Sequence, residues 1–164
     1  MIRKAVKSDI QALKEIYNHA ILHTIATFDT EIKDDENRLQ WFFEHEKEPY
    51  VIFVEEQEGQ VCGYASLSQY RDRKAFDHTV EISIYIKEEY RRKGIGKRLM
   101  KHTLDFAKQH SDIWVVISLI TGENKTSIHL HEYFGFTFCG QLKKVGYKFD
   151  KWLDLNAYQI VYKE

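Results

Sequence analysis

Thr79 to Ile86 (TVEISIYI) alternates apolar and polar residues as a strand does. The turn Arg91-Arg92-Lys93-Gly94-Ile95-Gly96 follows it, and Lys97 to Gln109 then carries a helical apolar stripe. A strand that enters a helix through a basic, glycine-containing turn strongly constrains a fold. Glycines let backbone N–H groups approach a phosphate closely, and the helix N-terminus adds partial positive charge there. The basic side chains supply counter-charge, so the segment predicts a site for a phosphorylated carrier.

Two familiar phosphate turns do not fit. Gly94-Ile95-Gly96-Lys97-Arg98 lacks the GxxxxGK[ST] spacing and the magnesium-binding hydroxyl of a P-loop. A dinucleotide turn needs GxGxxG with an acidic residue about 20 positions later. A solvated basic helix start with an incidental glycine pair remains an alternative on the local string alone.

A length of 164 residues predicts one domain, 1–164, and 43% apolar content is enough to give it a core. The net charge of −1 gives no reason to expect nucleic-acid or membrane-surface affinity, so any positive potential must be local. Cys62 and Cys139 stand far apart outside any CxxC spacing, which suits a reduced, cytoplasmic protein. No apolar run approaches the roughly 18–20 residues of a membrane span. The histidines show no ligand spacing, and no metal is expected.

Ile2 to Ala5 reads as a short strand, and Ser8 with Gln11 as a capping box ahead of a helix carrying Ile10, Leu13, Ile16 and Tyr17. A second helix is expected over Asn37 to Glu46, burying Leu39, Trp41, Phe42 and Phe43. Strands follow at Tyr50 to Glu55 and Val61 to Leu67, joined by a hairpin turn at Gln57-Glu58-Gly59-Gln60. In the central strand Val80, Ile82, Ile84 and Ile86 point to one face, and Thr79, Glu81, Ser83 and Tyr85 to the other. Ile113 to Ile120 reads as a strand buried on both faces, and Asn124 to Tyr133 as a short helix ended by Gly135. Phe136 to Gln141 and Ala157 to Tyr162 supply two more strands, with Val145 to Leu155 as a substrate-side loop between them. The sum is a mixed α/β sheet with helices on its faces.

Arg91-x-x-Gly94-x-Gly96 after an apolar strand resembles the pyrophosphate turn of the GCN5-related N-acetyltransferases. Asn124-Lys125-Thr126-Ser127-Ile128-His129-Leu130-His131-Glu132-Tyr133-Phe134-Gly135-Phe136 resembles the later N-x-x-[AS]-x-x-[LF]-[YH]-E-x-x-G-F signature of that superfamily. Ala26-Thr27-Phe28-Asp29-Thr30-Glu31, Arg71-Asp72-Arg73, Thr79-Val80-Glu81, Leu130-His131-Glu132 and Val145-Gly146-Tyr147-Lys148 extend the likeness, over nearly the whole chain, to the phosphinothricin and methionine sulfoximine N-acetyltransferase group. The resemblance implies a twisted mixed sheet splayed at its central strands, with acetyl-CoA in the gap. It implies backbone pairing of Ile84, Tyr85 and Ile86 with the pantetheine arm, and a diphosphate cradle beside Arg91 built from Arg92, Lys93, Gly94, Ile95, Gly96 and Lys97. Asn124 would meet the arm near the thioester, Tyr133 would lie beside the cofactor, and a homodimer is implied.

The implied reaction is attack of a free amine on the acetyl thioester. Glu81 is the candidate general base, directly or through a water, against the alternative of a structural salt bridge. Backbone amides near Tyr85 are the expected oxyanion donors. His131 stands where many members carry a tyrosine thought to protonate the thiolate; acid, second base and hydrogen-bonded helix residue all remain open, with Tyr133 a second candidate for the acid. Arg71 and Arg73 suit a carboxylate or phosphinate through forked hydrogen bonds. Phe28 and Glu31 would wall the substrate pocket, and Lys148 would add charge. Rival readings are a polyamine or protein N-terminal acetyltransferase, and a non-catalytic coenzyme A sensor.

Overall fold

The computed structural model describes residues 1–163. Its elements are β1 (Ile2–Lys4), α1 (Ile10–His23), α2 (Asp35–Glu44), β2 (Val51–Gln57), β3 (Gln60–Gln69), β4 (Thr79–Ile86), α3 (Ile95–Gln109), β5 (Val115–Thr121), α4 (Lys125–Tyr133), β6 (Thr137–Lys148) and β7 (Lys151–Val161). The seven strands form one sheet in the order β1-β2-β3-β4-β5-β7-β6, the mixed α/β architecture expected. All pairs are antiparallel except β4 with β5.

Each face of the sheet has its own core. Val80 and Ile82 meet an α3 stripe of Ile95, Leu99, Met100, Leu104 and Ala107, closed by Ile128 of α4 and by Phe136. On the opposite face Leu13, Ile16 and Phe42 of α1 and α2 pack on Ile52, Val54, Val61 and Tyr64. The β2–β3 hairpin turns through Glu58 (φ 51°) and Gly59 (φ 77°), the two positive φ angles that a two-residue turn between twisted strands requires.

The sheet parts in its middle. β4 pairs with β3 from Val80 to Ile86, yet with β5 only at Thr79↔Val115, Val80↔Val116 and Glu81↔Ile117. β5 meanwhile stays paired with β7 over its full length. From Ile82 onward the two halves diverge, and the edge of β4 facing β5 is left without a neighbouring strand.

Four expectations are corrected. Ser8 and Gln11 form no capping box: the Asp9 carboxylate instead reaches back across the 3-10 turn Lys7–Asp9 that precedes α1, accepting a 2.8 Å bond from the Val6 N–H, while Gln11 donates to Glu15. In α2 the inward stripe is Arg38, Phe42 and then His45, so Phe43 turns outward and is 44% exposed. β5 is not buried on both faces, because Leu119 looks onto the side where the sheet has opened and is 37% exposed. Val145 to Leu155 is not a loop but the tip of a long β6–β7 hairpin, turning at Phe149 and Asp150. No described helix is long and apolar enough to cross a membrane.

Candidate active site

The basic turn sits where the free edge of β4 ends. After a short 3-10 turn at Glu88–Tyr90, Arg92 adopts φ 62° and Gly94 φ 77°, and α3 begins at Ile95. The first helical bond runs from the Arg98 N–H to the Gly94 carbonyl at 3.1 Å. The N–H groups of Ile95, Gly96 and Lys97 therefore have no acceptor within the helix, as at any helix start. A Cβ built on Gly96 would meet only Leu130 Cδ2, at an ordinary 3.6 Å, so the space over this backbone is open rather than filled by protein. Arg91, Arg92, Lys93 and Lys97 are exposed around it. Lys97 Nζ stands 4.3 Å from the Tyr133 ring centroid, which brings Tyr133 to the rim. Open space, orphan N–H groups and four cations fit a diphosphate.

Asn124 caps α4, its Oδ1 accepting from the Ser127 N–H at 3.2 Å, just beyond the end of β5. Ile84, Tyr85 and Ile86 lie on the unpaired stretch of β4. A strand edge with free N–H and C=O groups is what an amide-bearing arm pairs with.

Glu81 sits at the point where the strands part, opposite Ser68 on β3 and Ile117 on β5. Burial pushes its carboxyl above the ordinary 4.5, while the positive charge of Arg71 pulls it partly back. Arg71 and Arg73 are exposed and, with Tyr70, Asp72 and Phe76, line an open hollow of about 600 Å³. The Arg71 guanidinium lies 5.1 Å from the Tyr70 ring centroid.

The α1–α2 connection folds against the same face. Tyr17 donates to Asp29 at 2.5 Å, shares a 3.1 Å contact with the Thr27 hydroxyl, and stacks edge-on against Tyr85 at 5.2 Å. Burial and the neighbouring Asp29 push the Tyr17 phenol up to about 12, and burial raises Tyr85 as well. Phe28 rests on the backbone of Gly146, and Lys148, itself buried, donates to the Thr27 carbonyl at 2.8 Å. Burial lowers the Lys148 ammonium. Phe28 and Lys148 are thus brought together by two contacts between connection and hairpin. Glu31 is exposed in that connection, without a described hydrogen bond.

His131 lies on the α3 and α4 side of the sheet, not beside Glu81. Its Nδ1 is 2.7 Å from the Ser127 carbonyl and its Nε2 2.8 Å from Ser118 Oγ. A carbonyl only accepts, so Nδ1 carries the proton and Nε2 accepts from the Ser118 hydroxyl. Burial lowers the imidazole below 6.5. Sequence reasoning gave no site role to Ser118, Tyr17 or Asp29; Tyr17 was read only as part of the apolar face of the first helix. Asp29 lay within a quoted motif, whereas Ser118 carried no signal in an apolar run. Among the described residues, no cluster of three or more His, Cys, Asp or Glu is arranged to hold a metal ion.

Residues 12–136 match the acetyltransferase (GNAT) family. The L-methionine sulfoximine/L-methionine sulfone acetyltransferase of Salmonella typhimurium (strain LT2) is 40% identical over 159 residues, covering 97% of this chain and 92% of that protein. A phosphinothricin N-acetyltransferase of Streptomyces coelicolor is 32% identical over 161 residues, 96% of this chain and 94% of its own length. The solved structure of yncA from Salmonella typhimurium with its cofactor acetyl-CoA superimposes with a TM-score of 0.96 at 39% identity, covering 100% of this chain and 94% of that one. A parted sheet, a basic turn at the exposed edge and relatives matched almost end to end agree: the chain belongs to the GNAT family of acetyltransferases.

Proposed function

We propose that this protein moves the acetyl group of acetyl-CoA to the α-amino group of a small, glutamate-shaped amino acid, with methionine sulfoximine, methionine sulfone and phosphinothricin as the candidate substrates. The observation that carries the reading is Glu81, half-buried where the sheet opens and facing the positive charge of Arg71. An ammonium group approaching Glu81 meets a carboxyl tuned toward the working pH, and a carboxylate or oxidised sulfur beyond it meets Arg71 and Arg73. A polyamine would bring a second positive charge toward those arginines, which disfavours it.

Bound acetyl-CoA supplies the thioester carbonyl that the amine attacks. Glu81, directly or through one water, takes a proton from the substrate ammonium and frees the nitrogen lone pair. Backbone N–H groups on the free edge of β4 near Tyr85 face the developing negative oxygen. As the C–N bond forms and the C–S bond breaks, the second amine proton passes to the leaving sulfur. His131, neutral and bonded at both ring nitrogens, holds the Ser118 hydroxyl rather than donating a proton of its own at neutral pH. Arg91 to Lys97, Asn124 and Tyr133 bind the donor. Phe28, Glu31 and Lys148 shape the amine pocket.

The protein acts as a single N-acetyltransferase domain in the cytoplasm, where its two free thiols stay reduced, and as a homodimer joined through the β6–β7 hairpin. Thiol release from acetyl-CoA is to be measured across methionine sulfoximine, methionine sulfone, phosphinothricin, glutamate and spermidine. Turnover of the sulfur or phosphorus compounds ahead of spermidine is expected. Turnover of spermidine alone would overturn the reading.

A further inference from the structure

Arg98 belongs to none of the expected donor contacts, yet it touches the cradle from behind. Its Nη1 donates to the Lys93 carbonyl at 3.1 Å. Its Nε and Nη2 donate to Glu55 on β2, at 3.1 and 3.2 Å and at 2.5 Å. Glu55 is only 3% exposed and sits at the register shift of the β2–β3 pair, anchored further by a 3.1 Å bond from Gln57. One guanidinium therefore ties a buried strand carboxylate to the backbone of the basic turn.

In a trans peptide the carbonyl and the following N–H point in opposite directions. Fixing the Lys93 carbonyl on Arg98 turns the Gly94 N–H the other way, out of the protein and toward the cradle. The peptide before a glycine turns over easily, since no Cβ resists it. Something must select one orientation. Arg98 also packs on Gly94 itself, where a built Cβ would stand 3.1 Å from Nη1.

We propose that Arg98, braced by Glu55, is a positioning residue that locks the Lys93–Gly94 peptide with its N–H facing the donor's diphosphate. This rests on acetyl-CoA being the donor. A brace of this kind helps only a donor that has a diphosphate.

The test compares acetyl-CoA with S-acetylpantetheine, which carries the thioester and arm but no diphosphate, using methionine sulfone as acceptor. Arg98→Lys keeps a cation for Glu55 but loses the fork that reaches the carbonyl; Glu55→Leu combined with Arg98→Met removes both charges and leaves none buried alone. Both variants should raise KM for acetyl-CoA about tenfold, the equivalent of one charged hydrogen bond, and leave kcat/KM for S-acetylpantetheine within about twofold. Equal losses with both donors would mean general structural damage and overturn the proposal, as would an unchanged KM for acetyl-CoA. Calorimetric titration with coenzyme A and with pantetheine runs alongside. Wild-type protein that binds coenzyme A but acetylates no amine would overturn the proposed reaction, while the variants' coenzyme A affinities would still decide the role of Arg98.

Discussion

His131 Nε2 and Ser118 Oγ lie 2.8 Å apart inside the protein, so the histidine of the α4 signature spends its outer nitrogen on a strand hydroxyl. Its ring also packs edge-on against Phe136 at 4.9 Å. His131→Phe preserves that packing but strips the Ser118 hydroxyl and the Ser127 carbonyl of a partner, with an expected stability loss of about 1–3 kcal/mol. The pH dependence has a definite sign. His131 and His45 both have imidazoles held below the ordinary 6.5 by burial, so the unfolded chain binds more protons than the folded one just below that pH. Their contribution is complete above 6.5 and is lost as pH falls through the lowered values. Melting temperature should therefore drop on acidification from pH 7 to 5, and less steeply in His131→Phe, with His45 keeping part of the slope. An unchanged slope would show that His131 titrates normally.

Glu81→Gln removes the proposed base while keeping the shape of the side chain. Turnover should fall by about 100-fold or more, the usual range for a general base, with acetyl-CoA affinity nearly intact. The acid limb of kcat/KM should vanish with it. Arg71 partly offsets the burial of Glu81, so Arg71→Met should shift that limb to higher pH. The same change should raise KM for carboxylated amines. Stopped assays over pH 5–9 check both effects; a limb that stays in place after Glu81→Gln would assign it to another group.

The centre of the sheet was legible because its signals are local and reinforce one another. Alternation in Thr79–Ile86 fixes a strand, Gly94 fixes a left-handed turn, and an apolar stripe fixes α3. The C-terminal hairpin was legible only at its open end, where Phe136 to Gln141 and Ala157 to Tyr162 read as strands; its tip was not. β6 is an edge strand exposed on both faces, so no burial pattern marks its continuation from Leu142 to Tyr147. Its turn uses Phe149 and Asp150 at φ 52° and 57°, positions where glycine or asparagine would have announced a hairpin. Arg38 was unreadable for a different reason. It is buried between the rings of Tyr17 and Trp41, at 4.9 and 4.4 Å, a partnership that depends on two helices meeting. Glu81 and Arg71 were placed from pattern and resemblance; their electrostatic coupling needed the fold.

Phe28 and Gly146 should behave as one unit. A Cβ on Gly146 would fall inside the contact distance of Phe28 Cε1 and Cδ1. Gly146→Ala must push the ring away, at an expected cost of about 1–3 kcal/mol, and disturb the amine pocket. KM for the amine should rise while KM for acetyl-CoA stays put. Because the clash is with that ring alone, Phe28→Ala combined with Gly146→Ala should recover much of the stability lost by Gly146→Ala. Equal destabilisation in the single and double variants would refute the pairing.

The β6–β7 hairpin carries a run of exposed apolar side chains: Phe138, Leu142, Val145, Tyr147 and Trp152 are all more than half exposed. An edge strand with so many apolar side chains is an aggregation hazard unless something covers it. A second copy of the same hairpin is the simplest cover, since a two-fold interface is self-complementary. Leu142→Lys and Trp152→Glu each place a charge in the proposed contact without touching either core. Sedimentation should then shift from dimer toward monomer, with the melting transition losing its dependence on protein concentration. The hairpin also carries Gly146 and Lys148, which seat the Phe28 connection, so loss of the partner should raise amine KM more than acetyl-CoA KM. Sedimentation of the unsubstituted protein as a monomer at micromolar concentration would remove the interface, and the exposed strand would then need another partner.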